Sequence, residues 1–71
     1  MKNIVEQLRR EKGLTQDEFA KAIRVSRQTV SSIENGKYNP SLDLAFVIAG
    51  FFGRHIEDVF IYERSDSDEK E

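Results

Sequence analysis

The segment RQTVSSIEN, residues 27–35, combines hydrogen-bonding side chains of modest size with two apolar ones. At about 100° per residue on a helix, Val30 and Ile33 fall on one side together with Ser26. The opposite, outward side carries Gln28, Ser31, Ser32 and Asn35, one flank carries Arg27 and Glu34, and the other flank carries Thr29. The outward side therefore has hydrogen-bonding groups and no carboxylate.

An outward side of this kind suits the major groove of double-stranded DNA. Arginine bridges the O6 and N7 atoms of guanine, glutamine bridges N6 and N7 of adenine, and serine takes either donors or acceptors. A carboxylate there would repel the DNA phosphates. The pattern predicts base contacts from Arg27, Gln28, Ser31 and Ser32, against the alternative that these side chains form a solvated helix face without a ligand.

Helix-start signals place this segment second in a pair of short helices. Thr15, followed three residues later by Glu18, predicts a capping box that begins a helix at about residues 16–23. Ser26 is the expected N-cap of the next helix, at about residues 27–35. Because only about three residues separate the two helices, the pair has the organisation of a helix-turn-helix.

Three further helices are predicted around this pair from apolar spacing and end signals. They cover about residues 2–12, the stretch between the N-cap Ser41 and the closing Gly53, and about residues 55–60. Ile61 and Tyr62 favour an extended end. The predicted fold class is all-α, with five helices and a possible short C-terminal extended segment.

The chain has 71 residues, of which 38% are hydrophobic, with no cysteine and a single histidine, His55. A chain of this size hides only about 60% of its unfolded surface, which disfavours an enzyme with its own substrate cleft. Disulfides and thiolate metal sites are excluded, and one histidine makes no metal cluster, so no metal or cofactor is expected. The composition indicates a small binding module that gains stability by self-association.

The net charge of −2 is unevenly distributed along the chain. Residues 1–38 hold eight bases and five acids (+3), residues 39–62 hold one base and three acids (−2), and residues 63–71 hold two bases and five acids (−3). The basic first part fits a nucleic-acid partner, which the average conceals. The acidic tail is expected to be disordered, dispensable for folding and unfavourable to non-specific DNA binding.

The nine residues LAFVIAGFF, at positions 44–52, are all nonpolar. A helix that crosses a bilayer needs about 20 apolar residues, so no membrane span is expected. This run has more apolar residues than one buried side of a helix can hold, so a second surface must cover the rest. We therefore expect a homodimer whose two-fold interface uses some of Val47, Phe51, Ile56, Phe60 and Tyr62. The N-terminus lacks the apolar run of a signal peptide, which favours a cytoplasmic protein.

Residues 15–41, TQDEFAKAIRVSRQTVSSIENGKYNPS, strongly resemble the helix-turn-helix core of the Cro/cI-type (XRE family) transcriptional regulators. The combination of TQ-x-E-x-A, VSRQT and IENGK-x-NPS is far more specific than a generic helix pair, and the likeness covers about residues 2–60. The resemblance implies a compact lambda-repressor-like DNA-binding domain at residues 1–62, with its helix-turn-helix at about residues 16–35. Residues 63–71 then form a tail.

The resemblance also implies roles for individual residues. Base contacts are implied for Arg27, Gln28 and Ser32. Phosphate contacts are implied for Gln16, Asn35, Lys37 and Tyr38, together with backbone N–H groups of the loop after the third helix. Arg9 is implied to pair with Glu34. Among a phosphate ligand, a structural partner and a surface charge, we expect Arg9 to combine the pairing with a phosphate contact. The family usually has glycine in the turn, so Arg24 there is expected either to adopt a left-handed conformation at about 1 kcal/mol or to alter the turn.

The sequence leaves two functions open. The first is a sequence-specific transcriptional regulator, with repression favoured, that acts as a homodimer on a palindromic operator and places its third helix in the major groove. The alternative is an antitoxin-like or adaptor subunit whose main role is to bind a protein partner. An enzyme is not expected, because the sequence shows no nucleophile–base pair and no phosphate-binding glycine loop.

Overall fold

The computed structural model describes residues 1–62, which form five helices between two short strands. The helices are α1 (Val5–Glu11), α2 (Gln16–Ile23), α3 (Arg27–Glu34), α4 (Leu42–Phe51) and α5 (Ile56–Val59). The strands β1 (Lys2–Asn3) and β2 (Phe60–Ile61) pair antiparallel, with Lys2 opposite Ile61. No helix within residues 1–62 is long and apolar enough to span a membrane. The predicted tail lies outside the described residues.

One core receives apolar side chains from every helix. The buried members are Val5, Leu8, Phe19, Ala20, Ile23, Val30, Ile33, Ala45, Ile48, Ala49, Val59 and Phe60. At its centre the ring of Phe19 lies 5.4 Å from that of Phe51 and 5.2 Å from that of Phe52, measured between centroids. These contacts hold α2 against α4. The five helices and the short strand β2 confirm the predicted all-α fold with a short extended end.

Side-chain caps fix where the central helices begin. Thr15 Oγ1 accepts a hydrogen bond from the Glu18 backbone N–H at 3.0 Å, and Glu18 Oε1 accepts one from the Thr15 N–H at 2.9 Å. Ser26 accepts from the Thr29 N–H and Ser41 from the Leu44 N–H, at 3.0 and 3.2 Å. Because each cap is formed within four residues, α2, α3 and α4 begin where the sequence predicts.

The ends of the other helices differ from the prediction. The sequence predicts the first helix at residues 2–12, but β1 occupies its start, and Asn3 Oδ1 accepts from the Val5 N–H at 3.0 Å as the helix begins. The third helix ends at Glu34, one residue early, with Asn35 as its C-cap. The fifth is shorter than residues 55–60, because Phe60 already has extended backbone angles and pairs in β2.

Arg24 has left-handed backbone angles, φ 64° and ψ 44°, as the C-cap of α2. It is the one non-glycine residue with positive φ in the described part of the chain. Of the two expectations for this position, the structure shows the left-handed conformation with the three-residue turn preserved. An L-residue is strained at this φ, so glycine at the same position is expected to stabilise the fold.

We expect Arg24→Gly to raise the free energy of unfolding by about 1 kcal/mol. Glycine also raises the conformational entropy of the unfolded chain, and this effect reduces the gain. Urea unfolding followed by circular dichroism measures the change. Ala22→Gly is the matched control, because Ala22 is exposed inside α2, where glycine lowers stability by about 1 kcal/mol. If both substitutions destabilise alike, the strain at Arg24 is not relieved and this account of the turn is wrong.

Candidate nucleic-acid interface

Helix α3 presents its polar side to solvent as the sequence predicts. Val30 and Ile33 are each 1% exposed in the core, whereas Arg27 and Gln28 are exposed and Ser31 and Ser32 are half-buried. Packing of α2 and α1 against the apolar side fixes the rotation of α3 about its axis. The four predicted base-reading side chains therefore lie on the accessible part of α3, where Arg27 and Gln28 are more exposed than Ser31 and Ser32.

Two clefts flank α3 on this side, and Gln28 lines both. The first, of about 320 Å³, is lined by Gln16, Arg27, Gln28 and Ser31. The second, of about 250 Å³, is lined by Ser26, Gln28, Thr29, Ser32 and Tyr38, and we call it the Tyr38 cleft. No carboxylate from residues 1–62 lines either cleft. Both therefore suit the polar and anionic surface of nucleic acid.

Sequence reasoning assigned no role to Thr29, which the structure places in the Tyr38 cleft. A helical projection puts Thr29 on a flank of α3, where it has no visible neighbour. Tyr38, from the loop after α3, lines the same cleft. The loop that places Tyr38 beside α3 contains the left-handed Gly36, φ 77°, which a helical projection does not show.

The loop after α3 folds back on the helix. The backbone N–H of Gly36 donates to the Ile33 carbonyl at 3.0 Å, and those of Lys37 and Tyr38 donate to the Ser32 carbonyl at 3.0 and 3.2 Å. The resemblance implied that N–H groups of this loop meet the sugar-phosphate chain, but these three are already engaged inside the protein. The side chains of Asn35, Lys37 and Tyr38 are exposed, so their phosphate contacts stay predictions.

A buried ion pair joins α1 to the end of α3. Arg9 Nε lies 2.7 Å from Glu34 Oε2, and Arg9 Nη2 lies 3.2 Å from Glu34 Oε1. Arg9 Nη1 donates to the Leu14 carbonyl at 2.7 Å. The side chains of Arg9 and Glu34 are only 8% and 3% exposed. The hydrogen bond to Glu34 raises the pKa of Arg9 above its usual value, against the opposing effect of burial.

This geometry bears on two predicted phosphate contacts. Each nitrogen of the Arg9 guanidinium donates once inside the protein, and the side chain is 8% exposed, which supports its pairing with Glu34. Two of its five N–H groups are not used in these bonds, so its phosphate contact stays a prediction. Gln16 is drawn into the same network, since its Nε2 donates to Glu34 Oε1 at 3.0 Å. Gln16 still lines the first cleft and keeps a second N–H, so its phosphate contact stays a prediction.

The predicted dimer residues divide into two groups. Val47 and Tyr62 are 49% and 67% exposed, as an interface requires. Phe51 and Ile56 are half-buried against the core, and Phe60 is only 8% exposed, which leaves little of that side chain for a second copy. The sequence reasoning omitted Leu42 and Phe46, which are 67% and 57% exposed on α4. A helical projection of residues 42–51 places Phe46 about 160° from Ile48 but Leu42 only about 20° from Ala49, so it would have identified Phe46 and not Leu42.

Comparisons with known proteins agree with this geometry. The helix-turn-helix family model HTH_3 matches residues 5–59. An uncharacterized HTH-type transcriptional regulator of Methanocaldococcus jannaschii is 59% identical over 63 residues, 89% of this chain and 96% of that protein. A protein of the same description from Archaeoglobus fulgidus is 43% identical over 70 residues, 99% of each chain.

A more distant match has a more specific name. The immunity repressor protein of Bacillus phage phi105 is 33% identical over 55 residues, which cover 78% of this chain and 38% of the repressor. The matched family model extends from the start of α1 to the end of α5 and contains the whole of the helix-turn-helix. The chain therefore belongs to the Cro/C1-type helix-turn-helix family of DNA-binding domains, as its resemblance to that family predicted.

Proposed function

We propose that the protein is a sequence-specific regulator of transcription that binds double-stranded DNA with α3 in the major groove. The observation that carries the proposal is the carboxylate-free side of α3, where Arg27 and Gln28 project between two open clefts. Arg27, Gln28, Ser31 and Ser32 are the proposed base contacts. Similarity to a phage immunity repressor supports repression as the mode of action, in the cytoplasm where the operator lies.

Phosphate contacts are proposed on both sides of the base-reading surface. Gln16 begins α2 and lines the first cleft, and an anion there also gains from the free N–H groups of that helix start. Asn35, Lys37 and Tyr38 supply exposed side chains from the loop beyond α3. Two strands of phosphates border a major groove, so contacts from both sides would orient α3 within it.

We propose a homodimer formed by the exposed side of α4. At 100° per residue, Leu42, Phe46, Gly50 and Val47 share an arc that the core leaves open, together with the exposed Asp43. Gly50 lies inside the helix, where glycine lowers stability by about 1 kcal/mol relative to alanine. A Cβ at Gly50 would meet nothing within 4 Å in its own chain. The absence of a side chain there fits the close approach of a second copy that we propose.

Dimer formation makes a prediction for Phe46. We expect Phe46→Asp to weaken self-association at least about tenfold, because it places a charge in an apolar contact. The folded monomer should keep its melting temperature within a few degrees, since the side chain is 57% exposed. Sedimentation measures the dimer dissociation constant. Gln7→Asp on the exposed side of α1 is the matched control, and equal association of both variants would refute an interface on α4.

Gly50→Ala refines the same test. The added methyl should raise the stability of the monomer by about 1 kcal/mol because alanine favours the helix. The same methyl should weaken the dimer if two copies approach at this position. A variant that is more stable but has an unchanged dimer dissociation constant would show that Gly50 lies outside the interface.

Selection from a random DNA library with the purified protein tests the function. We expect recovery of a palindrome whose half-sites lie about 34 Å apart, since two copies of α3 related by a two-fold axis enter successive major grooves on one side of the duplex. Recovery of no enriched sequence would refute sequence-specific binding. Recovery of a single unpaired half-site would refute the dimer and leave base reading intact.

A further inference from the structure

A groove runs from the end of β2 to the loop after α3. Its first part, a cleft of about 320 Å³, is lined by Met1, Lys2, Asn39, Ile61 and Tyr62. Its second part, a cleft of about 420 Å³, is lined by Met1, Lys2, Asn3, Glu34, Asn35 and Gly36. Because Met1 and Lys2 line both clefts, we call the two together the Met1 groove. It shares no lining residue with the two clefts beside the base-reading side of α3.

We propose that the Met1 groove receives the acidic tail, residues 63–71 of the same chain, and that the docked tail competes with DNA for the loop after α3. The competition rests on the proposed function, because it requires this loop to bind DNA, whereas the docking does not. The proposal gives the tail a defined site on the protein, which goes beyond repulsion between like charges.

The path of the backbone brings the start of the tail to the groove. Ile61 pairs with Lys2 in the sheet, so Tyr62 comes next to Met1, and both residues line the first cleft. The Met1 carbonyl in turn lies beside the loop after α3, since a Cβ on Gly36 would be 3.6 Å from its oxygen. Paired strands are only about 4.8 Å apart, and nine extended residues span up to about 30 Å. The tail is therefore long enough to follow the whole groove.

The charges of the tail and of the groove are opposite. Residues 66–71 hold four acids and one base. Lys2 lines both clefts, and Lys37 is exposed directly after Gly36. The carboxylate in the lining belongs to Glu34, whose side chain is 3% exposed and paired with Arg9, so its charge is compensated. The two lysines therefore give this surface a positive charge that suits an acidic peptide.

The end of α3 presents donors to the groove. The last carbonyls of a helix carry partial negative charge, which disfavours an anion. In α3 the Ile33 carbonyl accepts from the Gly36 N–H and from Asn3 Nδ2, both at 3.0 Å. The Ser32 carbonyl accepts two backbone N–H groups of the following loop. Asn35 is exposed in the groove, and its side-chain amide can donate to a carboxylate.

The tail and DNA would use the same donors. Asn35 lines the groove and Lys37 adjoins it, and both are proposed phosphate contacts. A tail that occupies the groove for two-thirds of the time would weaken binding to every DNA sequence about threefold, because only the remaining third of the molecules is competent to bind. The docked tail would thus set a threshold for DNA affinity without changing base preference.

The test locates the tail on the full chain in solution. Because the chain has no cysteine, Ser67→Cys gives a single attachment site for a nitroxide label, which broadens the NMR signals of nearby amides. Without DNA, we expect the amides of residues 35–37 to lose most of their intensity. The matched control carries the same label on a tail with Asp66→Asn, Asp68→Asn and Glu69→Gln, which keeps the length and removes three charges. In the control most of that intensity should return.

Random duplex DNA is then added to the labelled protein. We expect the broadening at residues 35–37 to disappear, and fluorescence anisotropy to show about threefold tighter binding for the neutralised tail. Broadening that persists with DNA bound, or equal affinities for the two tails, would overturn the competition.

The outcomes separate this inference from the proposed function. Equal broadening by the charged and the neutralised tail would show that the label reports the tether alone, which would overturn the docking. Labelled copies mixed with unlabelled isotope-enriched copies show whether the contact lies within one chain, and broadening between copies alone would overturn docking on the same chain. If the protein binds no DNA, the proposed function fails, while the comparison without DNA still decides the docking.

Discussion

Replacing Glu34 with alanine is expected to lower the free energy of unfolding by about 3–5 kcal/mol, the cost of leaving one partner of a buried ion pair alone. Arg9 would keep its charge with the side chain only 8% exposed, because an arginine guanidinium stays protonated in proteins. Gln16 would lose its acceptor as well. A domain of this size has about 4–11 kcal/mol of stability, so the variant should be close to unfolding at room temperature.

Thermal unfolding followed by circular dichroism measures this effect, and the chain supplies a matched control. Arg10 and Glu6 form an ion pair of 2.8 Å in which the side chains are 71% and 49% exposed. Glu6→Ala should therefore change stability by less than about 0.5 kcal/mol. Equal melting temperatures for the two variants would show that the buried pair does not join α1 to α3 in solution.

A double substitution separates the charge from the packing. Arg9→Met combined with Glu34→Leu should be less destabilising than Glu34→Ala alone, because no unpaired charge stays buried. Gln16 loses its acceptor in both cases, and the Leu14 carbonyl loses its donor when Arg9 is replaced, so full recovery is not expected. A double variant that is less stable than Glu34→Ala would mean that the pair acts through its shape and not through its charge.

Replacing Arg27 with alanine is expected to have the largest effect on DNA binding. Each half-site should lose about 1–3 kcal/mol, and preference should relax at one base pair. The side chain is exposed at the first position of α3, so stability should stay within about 0.5 kcal/mol of the wild type. Gel-shift titration with the operator and its single-base variants measures both affinity and preference.

Lys37→Ala is the control that separates base reading from phosphate binding. It should weaken binding to all sequences alike and reduce the slope of log affinity against log salt by about 1 for each phosphate that the lysine no longer neutralises. Arg27→Ala, in contrast, should change the ranking of the operator variants. If Arg27→Ala left both affinity and ranking unchanged, the base-reading assignment would be wrong.

Local signals carried much of the prediction. Thr15, Ser26 and Ser41 each form a cap with a residue three positions on, so a short window of sequence contains both partners. The stripe of Val30 and Ile33 likewise determines which side of α3 is outward. These features are set by helix geometry alone, and the helix-turn-helix and its polar side follow from them.

The remainder depends on interactions between distant parts of the chain. The first helix is shorter than predicted because β1 pairs with β2 and Asn3 Nδ2 donates to the Ile33 carbonyl, 30 residues away, at 3.0 Å. Arg9 is buried only because Glu34, 25 positions later, receives it. The position of Tyr38 beside α3 depends in the same way on the loop at Gly36. A spacing rule that applies within one helix cannot identify these partners.

The most direct test of the central claim is methylation interference with dimethyl sulfate, which modifies guanine N7 in the major groove and adenine N3 in the minor groove. With α3 in the major groove of each half-site, N7 methylation should block binding at two clusters of guanines about one helical turn, 34 Å, apart on the same side of the duplex. Interference from adenine N3 alone, or from a single guanine cluster, would contradict a dimer that reads bases through α3.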